Sequence, residues 1–371
     1  MMLISISTGI GLQKTIQEKV SSFFGHISIS NFQNNNSQLS NNPILIDQDF
    51  YLNNKIKDVD HIQSVAYKSG VILTSKNFEG IIFKGINNDF NSDIFAPYLV
   101  EGYIPKISKN ISREVIISKY ISERLNLKLN DNLKVSFLND NSSLPNERNF
   151  KISGIYNTGL IEFDEIYLIG DIKHIQLINN WDPNQIGSFE IFIDDFSNMS
   201  NISNQLYKSS SSNLDVIDIS QKFFEIFNWI ALFDMNILLI IIIMILVSGI
   251  NMITALIVTI LEKTKLIGVL RVLGSKNLSI RTIFLFNGVY LISIGLFFGN
   301  IIGLVLIYFQ KFTGFLKLNP ETYYVSTVPV DTSFSNIVFL NLGIIFFCFL
   351  MLIIPSFIIN RISPTEALKI N

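Results

Sequence analysis

Residues 237–261 read ILLIIIIMILVSGINMITALIVTIL, and residues 262–284 continue EKTKLIGVLRVLGSKNLSIRTIF. The first stretch exceeds the roughly 20 mainly apolar residues needed to cross a hydrocarbon core. The second is basic, with Lys263, Lys265, Arg271, Lys276 and Arg281 against the single acid Glu262. An apolar run entering a short basic connection marks a membrane span ending on the cytoplasmic side. Two further runs, residues 283–308 and 336–359, are of the same kind. Core helices of soluble proteins rarely sustain such lengths without charge, so these read as spans.

The N-terminal MMLISISTGIGLQ is apolar for only about a dozen residues, too short to cross alone. It lacks the basic n-region of a signal peptide. We expect residues 1–20 to be the outer end of a first span whose beginning lies upstream. The loop over 310–335 balances Lys311 and Lys317 with Glu321 and Asp331, which suits the outer side. The fold expected is therefore an α-helical membrane protein with four transmembrane helices, the first truncated, and a large α+β extracytoplasmic domain. Its parts are a partial first helix (1–20), the outer domain with a stalk (21–234) and a second span (235–261). A cytoplasmic helix (262–281), a third span (282–309), an outer loop (310–335), a fourth span (336–359) and a cytoplasmic tail (360–371) follow. Trp229, near Phe223, Phe224 and Phe227, stands where an interfacial aromatic anchor belongs.

In the outer domain GIIFKGI, EVIISKY, NLKVSF and FKISGIY are short, rich in β-formers and bounded by turn residues, which predicts strands. SKYISERLNL, DIKHIQLI and a weakly amphipathic stretch over 198–212 predict helices. Glu162, Asp164 and Glu165 read as a polar turn at a hairpin tip. His26, His61 and His174 are scattered, without HExxH spacing, so no metal site is expected. Gly268 and Gly274 are one residue too far apart for a P-loop, and no Lys-Ser/Thr pair follows. Hence no catalytic site and no cofactor are expected on this chain. A net charge of −2 argues against a nucleic-acid partner. The lone Cys348, inside an apolar run, reads as a small core hydrophobe.

Leu266, Val269, Leu270 and Leu273 recur at i, i+3, i+4 and i+7, one apolar face of a helix. Gly274 suits a C′ glycine, and Ser275 a cap for the next helix. Two readings of that face stay open: a helix lying on anionic lipid, or one docking into a groove on a partner. Gly288, Gly295, Gly299 and Gly303 share a face of the third span at small-xxx-small spacing, which favours close helix packing. Asn251 at membrane depth should face protein. Pro355 predicts a kink, and Ser363, Pro364 and Glu366 a capped helix in the tail.

Several stretches resemble the lipoprotein-releasing (Lol-type) ABC permeases of the macrolide-exporter-like (MacB/FtsX-like) superfamily. VSGINMITALIVTILEKTKLIGVLRVLGS is similar to that family's second span and coupling helix, and NPETYYVSTVPV to its last outer loop. INRISPTEALKI is similar to its Pro-x-Glu-Ala-Leu ending, while FAPYLVEGYIP, EVIISKYISERLNLKLND and FKISGIYNTGLIEFD resemble outer-domain segments. MLISISTGIGLQ resembles the second half of the family's first span. The resemblance implies a permease subunit in the bacterial inner membrane, its large domain in the periplasm. A separate cytoplasmic ABC ATPase, holding ATP and Mg, would drive it, paired with a second permease. Lipoprotein extracted from the lipid bilayer would pass to a periplasmic carrier. Glu262, Lys263, Leu266, Val269, Leu270, Arg271, Leu273 and Gly274 would form the ATPase-coupling site. In the carrier-binding type a hairpin grips the carrier, and the matching stretch 138–148 is short and polar here. The alternatives are an FtsX-like signalling permease regulating a cell-wall hydrolase and a MacB-like efflux permease.

Overall fold

A computed structural model describes residues 1–34, 39–46, 58–74, 77–138 and 145–357. The tail residues Ser363, Pro364 and Glu366, and most of the stretch 138–148, lie outside the described residues. The chain divides into two compact units, one of residues 1–14, 229–317 and 327–371, the other of residues 15–228 and 318–326.

The second unit is built on one mixed sheet. Its strands among the described residues are β1 (Ile27–Asn31), β3 (Val59–Leu73), β4 (Phe78–Ile86), β5 (Leu99–Gly102) and β6 (Glu114–Ser118). They continue with β7 (Asn132–Phe137), β8 (Asn146–Tyr156), β9 (Tyr167–Asp171), β11 (Ser188–Ile193) and β12 (Leu214–Asp218). Two shorter strands, β2 (Ile44–Leu45) and β10 (Gln185–Ile186), pair separately. The sheet runs β12-β1-β11-β3-β4-β9-β6-β8-β5, with β7 bridging β3 and β8. Most pairs are antiparallel, while β4 with β9 and β6 with β8 are parallel. β3 holds the sheet together because its length lets it pair with β11 at one end, β4 along most of its course and β7 at the other end. β7 alternates exposed and buried residues, as a strand with one wet face does. β9 and β11 are buried throughout, so period-2 reading passes over them.

The predicted helices form with their apolar positions inward. α1 (Met2–Phe24) buries Ile16, Val20, Phe23 and Phe24. α2 (Lys119–Leu125) is capped by the Ser118 hydroxyl, which accepts from the Ile121 N–H at 3.0 Å, and buries Ile121 and Leu125. α3 (Lys173–Asn179) follows β9, and α4 (Met199–Ser209) buries Met199, Ile202 and Leu206. Beyond α4 the chain departs from the expected stalk. Residues 214–218 return to the sheet as β12, beside β1. Asp218 then caps the single turn α5 (Ile219–Lys222), accepting from the Gln221 N–H at 3.0 Å. The return of β12 depends on pairing with β1, a strand almost two hundred residues earlier.

His26 leads into β1, and its Nδ1 accepts from the Ile193 N–H at 3.2 Å. Burial pushes the imidazole down to about 4 from 6.5. The unfolded chain therefore binds the extra proton first, so stability contributed by neutral His26 is present above pH 6.5 and lost as pH falls toward 4. The contribution amounts to about 3 kcal/mol for a shift of this size. Thermal unfolding of His26→Asn across that window is expected to show a shallower acid loss than wild type. Parallel pH profiles would contradict this assignment.

In the other unit, three helices among the described residues are long and apolar enough to cross a membrane. They are α6 (Phe224–Glu262), α8 (Asn277–Thr313) and α9 (Phe334–Ser356), with α7 (Thr264–Val272) between the first two. α6 has 39 residues, about 58 Å at the usual rise, roughly twice a hydrocarbon core. Its helix begins well before residue 235, the expected start of the second span, and includes Trp229, whose ring meets Phe233 edge-on at 4.7 Å. α1 is not among the three spans; it continues past residue 20 to Phe24, and the division between the units falls within it, after Lys14.

Leu256, Ile260, Ile267, Ile280, Phe284, Ile292, Cys348 and Leu352 form the buried cluster of this unit. Cys348 therefore packs as a small hydrophobe. Elsewhere the long helices are largely uncovered, with 6%, 17% and 11% of their most apolar windows buried, which leaves apolar side chains for lipid. Intrahelical hydrogen bonding satisfies the backbone of such helices. Asn300 donates to Asn341 at 2.8 Å, joining α8 to α9. Pro355 lies in the last turn of α9, which ends one residue later.

Candidate coupling helix

α7 is set off from α6 at Lys263, where the Thr264 hydroxyl turns back to the carbonyls of Ile260 (3.2 Å) and Leu261 (2.6 Å). Ile267 is fully buried and roots α7 in the cluster with Leu256, Ile260 and Ile280. Leu270 packs against the same cluster in part. The expected apolar face is thus split. Leu266, Val269 and Leu273 are 52%, 44% and 77% exposed, and Val272 beside them 66%. The inward residue is Ile267, one position from the stripe that periodicity selects.

The end of α7 is rigidly made. Gly274 takes φ +86°, Gly274 N–H donates to Arg271 O at 3.0 Å, and Ser275 N–H to Leu270 O at 3.0 Å. Those two bonds are the Schellman pair that satisfies the last carbonyls of a helix. Ser275 is not the cap of α8, since Lys276 occupies that position without a side-chain capping bond. Glu262, Lys263, Lys265, Gly274 and Lys276 are exposed and Arg271 is half-buried. The outer face of α7 is therefore apolar at its centre and cationic around it, a surface fitted to a groove with an apolar floor and acidic edges.

The glycines expected to pack do so unevenly. A Cβ at Gly288 would lie 2.7 Å from Leu352 Cδ1, and one at Gly303 would lie 3.0 Å from Leu3 Cδ2. Around Gly295 and Gly299 nothing lies within 4 Å, so that part of the stripe is open within the chain. Asn251 is exposed instead of facing a neighbouring helix of its own chain. Gly249, two residues earlier, takes the close approach instead, its Cβ position falling 1.7 Å from Met351 Sδ. Small residues permit close packing without compelling it, so spacing alone does not choose among them.

Glu162, Asp164 and Glu165 are not at a hairpin tip. A single helical turn, Ile161–Asp164, joins β8 to β9, which are separated in the sheet by β6. Asp164 is buried and accepts from Thr158 N–H (3.1 Å), Thr158 Oγ1 (2.8 Å) and Gly159 N–H (3.0 Å). Burial raises its pKa while those hydrogen bonds oppose the rise. Its oxygens are engaged in holding the turn. No group of three His, Cys, Asp or Glu placed to hold a metal occurs among the described residues.

Residues 238–364, which take in most of α6 and all of α7, α8 and α9, match the FtsX-like permease C-terminal family. This stretch is similar to FtsX-like permease domains. The whole chain is similar to the lipoprotein-releasing system transmembrane protein LolC of Buchnera aphidicola subsp. Schizaphis graminum, 26% identical over 99% of this chain and 89% of that one. The protein of that name from Xylella fastidiosa strain Temecula1 is 20% identical over 81% of this chain and 76% of its own length. Among solved structures, the periplasmic region of MacB from Actinobacillus actinomycetemcomitans aligns at 14% identity and a TM-score of 0.36. It covers 52% of this chain and 87% of that one. α7 lies wholly inside the matched stretch, between the first two long apolar helices.

Proposed function

We propose that this chain is the permease subunit of an ABC transporter that extracts lipoproteins from the bacterial inner membrane and hands them to a periplasmic carrier. The observation that carries the reading is α7. Leu266, Val269 and Leu273 stand exposed on a helix anchored by Ile267 and closed at Gly274. An apolar face held this firmly at the end of a span suits docking of a separate ATPase, which would bring ATP and Mg. The lipoprotein substrate is taken from the relatives of that function, and the large domain would stand in the periplasm. A second permease, identical or related, would complete the assembly.

Purification of the full chain from a lipoprotein-producing bacterium tests this. An ATPase together with lipoprotein is the expected company. An ATPase with a cell-wall hydrolase and no lipoprotein would replace transport by signalling, and neither partner would overturn the permease reading.

A further inference from the structure

The outer domain buries a charged cluster that docking at α7 does not use. Lys84 on β4 and Glu190 on β11 are each 1% exposed, and Lys84 Nζ lies 2.9 Å from both carboxylate oxygens. Gln63 donates to Glu190 Oε2 at 2.7 Å, and the Tyr67 hydroxyl donates to Oε1. Burial and Glu190 hold Tyr67 well above its usual range, so it stays a neutral donor.

The cluster also grips the end of α1 and the segment that leads into α6. Lys84 Nζ donates to the Phe23 carbonyl in the last turn of α1, a group that the helix itself leaves unpaired. A cation there also favours the negative helix end. Lys222 ends α5, directly before α6, and its ammonium lies 4.9 Å from the Phe24 ring centre and 5.5 Å from Tyr67. The rings of Phe24 and Phe223 meet at 4.7 Å. Gly25, at φ +71°, brings the turn after α1 so close to β11 that a Cβ would sit 3.0 Å from Glu190 Cβ.

Stability alone does not call for this chemistry, because apolar residues of similar volume often replace a buried ion pair without loss. Directional bonds add what packing lacks, a fixed position for a helix end relative to particular strands. We propose that Glu190 and Lys84 are positioning residues that lock the end of α1 and, with Lys222, the start of α6 to one point of the sheet. Movement of either segment then reaches the sheet through the same carboxylate. This rests on the reading that the outer domain is moved to release lipoprotein.

The test uses the full chain with its ATPase, carrying Lys84→Met and Glu190→Gln together, which removes the charges while keeping the volume. Amide exchange over residues 20–25 and 219–227 is expected to quicken about tenfold while β6 and β9 stay protected. Lipoprotein release is expected to fall about tenfold with ATP hydrolysis within about twofold of wild type. Lys222→Met, at a half-buried site that spares the ion pair, should quicken exchange over 219–227 and lower release about threefold. Release unchanged in both variants overturns the positioning role, whatever the exchange shows. If wild type itself releases no lipoprotein, the transport reading fails, and the exchange arm still decides the lock: unchanged protection overturns it.

Discussion

Replacing Leu266 and Leu273 together with aspartate is expected to weaken ATPase capture by a factor of about 100 or more. Both side chains are more than half exposed, so little native packing is lost and surface substitutions of this kind shift stability by about 0.5 kcal/mol or less. At an interface the same positions act differently. Central apolar anchors are worth about 2 kcal/mol each when truncated, and a carboxylate forced into the apolar floor adds a desolvation cost. The cationic surroundings, Lys263, Lys265 and Lys276, would fold back on the new acids and remove the charge complementarity as well. Affinity for the ATPase should be measured in detergent, where no bilayer remains for α7 to lie on. Binding within about threefold of wild type would instead favour the lipid-surface reading of this helix.

Replacing Glu190 alone with alanine is expected to cost the outer domain about 3–5 kcal/mol, the usual result of stranding one partner of a buried pair. Lys84 would keep a buried ammonium without a counter-charge, and Tyr67 and Gln63 would lose their shared acceptor. The sign of the pH dependence follows from the lysines. Burial lowers the Lys84 pKa and brings Lys222 to about 8 in the folded wild type, with Glu190 opposing both shifts. Without the carboxylate both would fall further. Between the folded value and the unfolded 10.5 the unfolded chain binds more protons, so stability rises with pH through that window. Thermal unfolding of Glu190→Ala should therefore recover between about pH 7 and 9 more steeply than wild type. A loss below about 1 kcal/mol, flat with pH, would show that water or a neighbouring group already screens the pair.

The three spans were legible because crossing a membrane depends on a sum of local transfer energies over one segment. Each run read from sequence overlaps one of α6, α8 and α9, the helices long and apolar enough to cross a membrane. α7, its closing Gly274 and the helix over 119–125 were legible for the same reason, since caps and periodicity are local. The orientation of α7 was not. Leu266 and Ile267 are adjacent, each begins an acceptable helical stripe, and only the presence of Ile260 and Ile280 draws Ile267 inward. Asn251 and Gly295 illustrate the same gap: their residue types restrict what can pack there, while the neighbour itself lies elsewhere in the chain or outside it.

Sequence by itself determined that this protein has long apolar helices, a basic amphipathic connection between two of them, and a strand-rich domain before them. Length, charge and period are properties of contiguous residues, and the physics that reads them acts over one or two turns. Tertiary structure alone decided that β12 closes the sheet beside β1, which face of α7 remains open, and that Lys84 meets Glu190. That last pair is separated by 106 positions, and neither residue type, isolated in its strand, predicts burial. Their charges are tolerable inside only because folding brings each to the other, so the cluster exists as a property of the assembled sheet.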